Sequence, residues 1–239
     1  MRFPLFFTPL LPGATPADRL LACLGALIGI ALTMAVCALV PLSPHDLPVI
    51  VAPLGASAVL VFAVPASPLA QPWPVIGGNV VSTLVGVAVF TLVPRVEIAA
   101  GIAVGGAILV MSLLRCLHPP GGAAALTAII GSQAIHDAGF AFALVPVGIN
   151  SVALVAIGMA YHRATARRYP HRPVPVPAPP GRPGFDEADI DAALEEMHEG
   201  FDISRDDLAA LLARAEAHAA RRADAAAGSG RKTPRPSMR

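Results

Sequence analysis

The stretch "RCLHPPGGAAAL" (115–126) gathers, inside an otherwise apolar run, groups able to handle an anion or a proton. Arg115 brings a fixed positive charge and His118 a hydrogen bond or a titrating proton. Pro119, Pro120, Gly121 and Gly122 force a helix to begin here rather than run through, because proline lacks an N–H and disfavours helix in its predecessor. A helix start offers unpaired amide N–H groups and roughly half a positive charge, which suits an anion stripped of water. Gly121, Gly122 and Ala123 leave room for an ion to reach those amides. Plainer roles exist for each group. Small residues let helices pack closely in lipid, an end-of-helix Arg snorkels to the interface, and a His in this place caps the preceding helix.

The pattern occurs twice. "PLGASAV" (53–59) aligns with "PGGAAAL" (120–126), 67 residues apart, and adds Pro53, Gly55, Ala56 and Ser57 to the candidate site. The amides of residues 55–57 and 121–123 are the expected anion donors. Each copy is followed by a long apolar segment bearing an asparagine, Asn79 and Asn150, whose amides either meet a substrate or join helices. Ser82, Thr83 and Thr127 are further candidates for a path, with packing as their default role. No nucleotide-binding loop, Ser/His/Asp set or Cys/His metal spacing is present, and no carboxylate lies deep in an apolar segment. An enzyme, a cofactor and a nucleic-acid partner are therefore not expected.

The elements that must position these residues are membrane helices. The chain has 239 residues, 55% hydrophobic and 14% charged, against about a quarter charged for a soluble domain. Between Leu20 and Tyr161 the charged residues are Asp46, Arg95, Glu97, Arg115 and Asp137, too few to cover a soluble fold. Residues 20–42, 73–94, 97–117 and 139–161 are long enough to cross a bilayer. Residues 47–64 and 118–134 are shorter and interrupted near their starts. The expected fold is an all-α membrane protein: six hydrophobic segments forming two three-segment inverted repeats, with a broken or half helix in each. Six crossings, or four with two re-entrant loops, both satisfy the arginines flanking the first and last segments, which place both termini in the cytoplasm. The first apolar run is too long for a cleaved leader.

The expected divisions are a cytoplasmic segment (1–19), the membrane domain (20–169), a proline-rich linker (170–184), a cytoplasmic helical pair (185–223) and a disordered tail (224–239). Ser204 with Asp207 forms the start of the second tail helix, and Ile190, Leu194, Leu208, Leu211 and Leu212 are placed on a shared face. Three cysteines, Cys23, Cys37 and Cys116, are read as packing residues. "GIAVGGA" (101–107) permits self-association, so a homo-oligomer is allowed.

"LHPPGGAAAL", "APLGASAVLVFAVPASPLAQPWPVIGGN" (52–79) and the Asn-bearing last segment resemble, in order and spacing, the HPP family of small integral membrane proteins over about residues 17–170. That resemblance implies a compact multi-span membrane protein, and the expected location is a bacterial inner membrane. It also implies nitrite as the small inorganic anion, since plastid and cyanobacterial members are linked to nitrite transport. "ADIDAALEEMHEGFDISRDDLAALLARAEAHAARR" is similar to the connector that leads into CBS domains in longer members. This chain stops about where they would start, so CBS-regulated gating is not expected. The helical pair then serves a cytoplasmic partner or nothing, and a non-transporting scaffold or sensor is the alternative reading.

Overall fold

The computed structural model describes residues 15–39, 47–173, 186–197 and 201–229. Asp46, most of the proline-rich linker and the last ten residues lie outside these. All regular structure among the described residues is helical. Residues up to His171 form one compact unit and those from Arg172 another.

In the first unit, α1 (Pro16–Ala38) begins four residues earlier than its apolar run. Thr15 explains this. Its hydroxyl accepts from the Asp18 amide (3.2 Å) and the Asp18 carboxylate accepts from the Thr15 amide (2.8 Å), a reciprocal cap with Pro16 behind it. The helix then presents Leu20, Leu24 and Leu27 outward, an apolar exterior suited to lipid rather than water.

The two odd segments become short helices starting on their prolines, α2 (Pro53–Ala63) and α5 (Pro120–Ile130). Eleven residues make about 16 Å of helix, half of a hydrocarbon core of about 30 Å. α3 (Pro72–Leu92) follows α2 after a 3-10 turn at Pro68–Ala70, and α4 (Val96–Leu113) precedes α5. After α5 comes a one-turn helix, α6 (Gln133–Ala138), closed by Gly139 at φ 53°. The last segment is not one uniform helix. Ala143–Gly148 is a wide turn broken by an extended Val145 before Pro146, and α7 (Ile149–Ala164) continues from it. Among the described residues four helices are long and apolar enough to cross a membrane: α1, α3, α4 and the stretch Ala143–Ala164.

Contacts fix the helix directions. Trp73 Nε1 donates to Leu114 O and Ser82 meets Met111, so α3 and α4 are antiparallel. Gly86 of α3 lies under Ala125 and Ala128 of α5, as Gly78 lies near its start, so α3 and α5 run in the same direction. Val51 bonds Asn150 while Val61 bonds His162, so α2 runs with α7. The residues after α7 return to the start of α3, where Tyr169 Oη donates to Ala70 O (2.8 Å) and the His171 amide to Gln71 (2.9 Å). Burial pushes the Tyr169 phenol above its ordinary value. Asp18 and Arg167 form an ion pair that places the two ends of the unit on one side. It follows that α2 and α5 are antiparallel to each other.

α1 packs on α2 and α7, α4 packs on α3 and α5, and α2 meets α5. α4 buries Ala99, Ala103, Ala107 and Met111, one residue per turn, a small-residue face that brings α3 and α5 close. Its Gly101 and Gly105 face open space.

In the second unit α8 (Glu187–Met197) and α9 (Arg205–Ser229) are joined by an ion pair, Arg205 donating to both Asp191 oxygens at 2.6 and 2.7 Å. Ser204 Oγ accepts from the Asp207 amide at 3.1 Å and caps α9. Two expectations are corrected. Leu211 is 57% exposed, outside the shared face. α9 runs through Ser229, six residues into the segment expected to be disordered, because "ADAAA" favours helix.

Two measurements check the packing. A methyl group added at Gly86 would sit 2.6 Å from Ala125 O, a backbone atom that cannot step aside. Gly86→Ala should lower stability in detergent by about 1–3 kcal/mol, seen as a reduced Tm. Hydrogen bonds and the charge of Arg205 hold the Asp191 carboxyl below its ordinary range. A depressed acid stabilises above its unfolded value and loses that contribution as pH falls through the folded one. The tail's helical circular dichroism should therefore hold at neutral pH and weaken in acid, and Asp191→Asn should remove that acid dependence.

Candidate functional site

The two short helices bring their N-terminal ends together. His118, two residues before α5, places Nε2 2.8 Å from the hydroxyl of Ser57, in the first turns of α2. Its Nδ1 lies 2.9 Å from Leu69 O. Asn79 Nδ2, from α3, reaches Ser57 Oγ and Ser151 Oγ, each at 3.2 Å, and Ser151 donates to Val147 O at 2.8 Å. Ser57, Asn79, His118 and Ser151 are all fully buried. Four elements thus converge on one polar chain in an apolar unit.

Gly78 makes the convergence possible. A side chain there would start 2.5 Å from His118 Cβ and 2.8 Å from Cys116 O, so glycine lets residues 116–118 lie directly on α3. Gly121 does the same beside Ser82 and Met111.

The arginine is elsewhere. Arg115 ends α4 in the left-handed region (φ 54°), with its amide on Ser112 O and the Cys116 amide on Met111 O. This is the closing pattern in which glycine is usual, so a bulky residue there costs about 1–2 kcal/mol. Its side chain is exposed and separate from the polar chain.

A model of the HPP transmembrane region matches residues 11–170. The chain belongs to the HPP family. Two curated transmembrane proteins of Dictyostelium discoideum are similar to it. One is 38% identical over 120 residues, 48% of this chain and 38% of that protein. The other is 36% identical over 127 residues, 51% of this chain and 44% of that protein. The match spans less than half the length of either relative. No solved structure matches significantly.

Against this HPP core the expected site divides. Pro53, Ser57, Asn79, His118, Pro120 and Gly121 are buried at or beside the helix tips, and Gly122 is half-buried. Gly55, Ala56, Pro119 and Ala123 face outward. The amide donors need correction. Gly55 N–H bonds Ala52 O, Gly121 N–H bonds His118 O and Gly122 N–H bonds Pro119 O, at 2.8–3.1 Å. The first turns close on the preceding backbone, so these groups are not free for an ion. The capping role expected of His118 is also replaced, since α4 closes on its own backbone and the ring points to α2. Asn150 is a latch: Nδ2 donates to Val49 O and Cys37 Sγ, and Oδ1 accepts from the Val51 amide. Its donors hold the entry to α2 rather than a solute. Thr83 and Thr127 bond carbonyls one turn back, and Ser82 meets Met111 Sδ.

Ser151 and Leu69 O were missed. Ser151 directly follows Asn150, and no rule of spacing singles it out from other apolar-segment serines. His162, also missed, is buried with Nε2 2.9 Å from Val61 O and its ring stacked near Phe62. Among the described residues no three His, Cys, Asp or Glu side chains gather as a metal site would need.

Ser57→Ala removes one link while keeping the backbone, leaving His118 Nε2 and an Asn79 N–H without partners. It should cost about 1–3 kcal/mol in detergent-solubilised stability, more than Thr127→Ala, whose bond is local.

Proposed function

We propose that the HPP unit is a small-anion transporter in which the solute passes between the N-terminal tips of α2 and α5. The observation that carries this is the His118–Ser57 junction, a buried polar contact between two interrupted helices in a membrane protein. An ionisable side chain such as His118 is costly inside a membrane unit and by default marks a solute path. Two helix starts converge and, among the described residues, no carboxylate is bonded to them; their dipoles favour negative charge even though the terminal amides are engaged. Nitrite is the candidate anion that the family resemblance names.

The packing supports the duplicated plan. Exchanging α1 with α4, α2 with α5 and α3 with α7 leaves the set of packed helix pairs unchanged. Asn79 and Asn150 are each the eighth residue of segments beginning at Pro72 and Ala143. Antiparallel half-helices meeting tip to tip are what an inverted repeat of three segments produces. With α2 and α5 counted, six segments cross, and the Asp18–Arg167 pair agrees with both ends of the unit facing the cytoplasm of a bacterial inner membrane.

Purified protein in liposomes, offered nitrite, nitrate, formate, bicarbonate and chloride in turn, should take up at least one at several times the protein-free rate. His118→Ala should reduce that rate at least tenfold and Arg115→Gln should not. Deleting residues 172–239 should leave uptake intact. Loss of all activity on that deletion, with the membrane unit still folded, would favour the scaffold reading.

A further inference from the structure

The hydrogen bonds at the helix tips have a direction, and it fixes what they can bind. Leu69 O is a carbonyl and can only accept, so His118 carries its proton on Nδ1. In the neutral ring Nε2 then accepts, and the Ser57 hydroxyl donates to it at 2.8 Å. The carbonyl of Pro53, at 3.4 Å, is the poorer alternative for that proton. With its proton committed, Ser57 Oγ can only accept from Asn79, so the amide of Asn79 presents Nδ2 to it. Ser151, whose proton goes to Val147 O, requires the same orientation. Reversing the amide would set Oδ1 against two hydroxyls with no proton left to give.

Every donor of the chain is therefore spent, and what remains is an acceptor. Asn79 Oδ1 is buried without a partner. His162 repeats the logic: Val61 O fixes its proton on Nε2 and leaves Nδ1 as an unpartnered buried acceptor. The third such atom among the described residues, Thr33 Oγ1, is a hydroxyl that can take either role. A buried acceptor left open is costly unless something donates to it.

A bare anion brings only acceptors and would face Asn79 Oδ1 with repulsion. A cation such as ammonium could donate, but two helix starts oppose its charge. From this geometry we infer that the polar core binds its solute as a neutral hydrogen-bond donor: the conjugate acid of the small anion, giving its O–H to Asn79 Oδ1. The proton joins the anion on the side of entry, crosses with it as HA, and leaves by dissociation on the far side. No net charge moves and no protein group need ionise. This deepens the transporter reading above and rests on it.

The test uses the full chain in liposomes with a trapped pH dye. Nitrite uptake is followed under potassium diffusion potentials of either sign set with valinomycin, and protein-free vesicles are subtracted. For HA the protein-dependent rate is the same under both potentials, and the lumen acidifies by one proton per nitrite. Uptake accelerated by an inside-positive potential without acidification means a bare anion and overturns the inference while leaving the transporter reading intact. Methylammonium uptake accelerated by an inside-negative potential would assign the acceptor to a cation and also overturns it. Absence of protein-dependent flux for every anion offered removes the transporter reading itself. Asn79→Leu, which keeps the volume and deletes the acceptor, should lower the electroneutral flux at least tenfold. The potential measurement on the unaltered protein decides the question even if that variant fails to fold.

Discussion

The structure depends on the cost of polar groups in an apolar interior. Among the described residues of the membrane unit, Thr33 Oγ1 is the one buried side-chain group able to donate that lacks a partner, and the matching dictates where segments go. The His118–Ser57 contact is central, because it joins the connection before α5 to the first turns of α2 and recruits Asn79 from α3 and Ser151 from α7. Without it the His118 ring and the Ser57 hydroxyl would be buried in an apolar interior without each other as partners.

The asparagines show how one residue type is put to different uses. Asn150 serves the backbone, bonding the carbonyl of Val49 and the amide of Val51 in the entry to α2. Asn79, in the corresponding place, faces side chains instead, because Gly78 lets residues 116–118 lie against α3 and His118 takes its own partner in Leu69 O. One asparagine is consumed by architecture. The other keeps an open acceptor, and this asymmetry localises the candidate site to the α3 side of the junction.

Much of the architecture was legible. The charge-poor stretch from Leu20 to Tyr161 set a membrane unit, and Pro53 and Pro120 set the starts of α2 and α5 because a missing N–H acts locally. Thr15 with Asp18 was an equally local signal that apolar length alone overlooked. Pro146, passed over in reading 139–161 as one span, breaks the last segment. The site was less legible. Gly55, Gly121 and Gly122 looked like anion donors by composition, yet their amides fold back onto residues three before them. Arg115 looked electrostatic by charge, yet the closing turn of α4 sends it outward.

The sequence by itself determined which segments are apolar, where proline interrupts them, and that His118 and Ser57 each lie near such an interruption. Those properties are local: they follow from a residue's own backbone chemistry and the hydropathy of its neighbours. Only the tertiary structure decided that the two interruptions meet and which asparagine joins them. It also decided the order in which protons are handed along the chain. Hydrogen-bond direction is set by partners far apart in the chain, such as Leu69 and His118 or Asn79 and Ser151, and no pattern along one strand of sequence encodes which of them must give and which must accept.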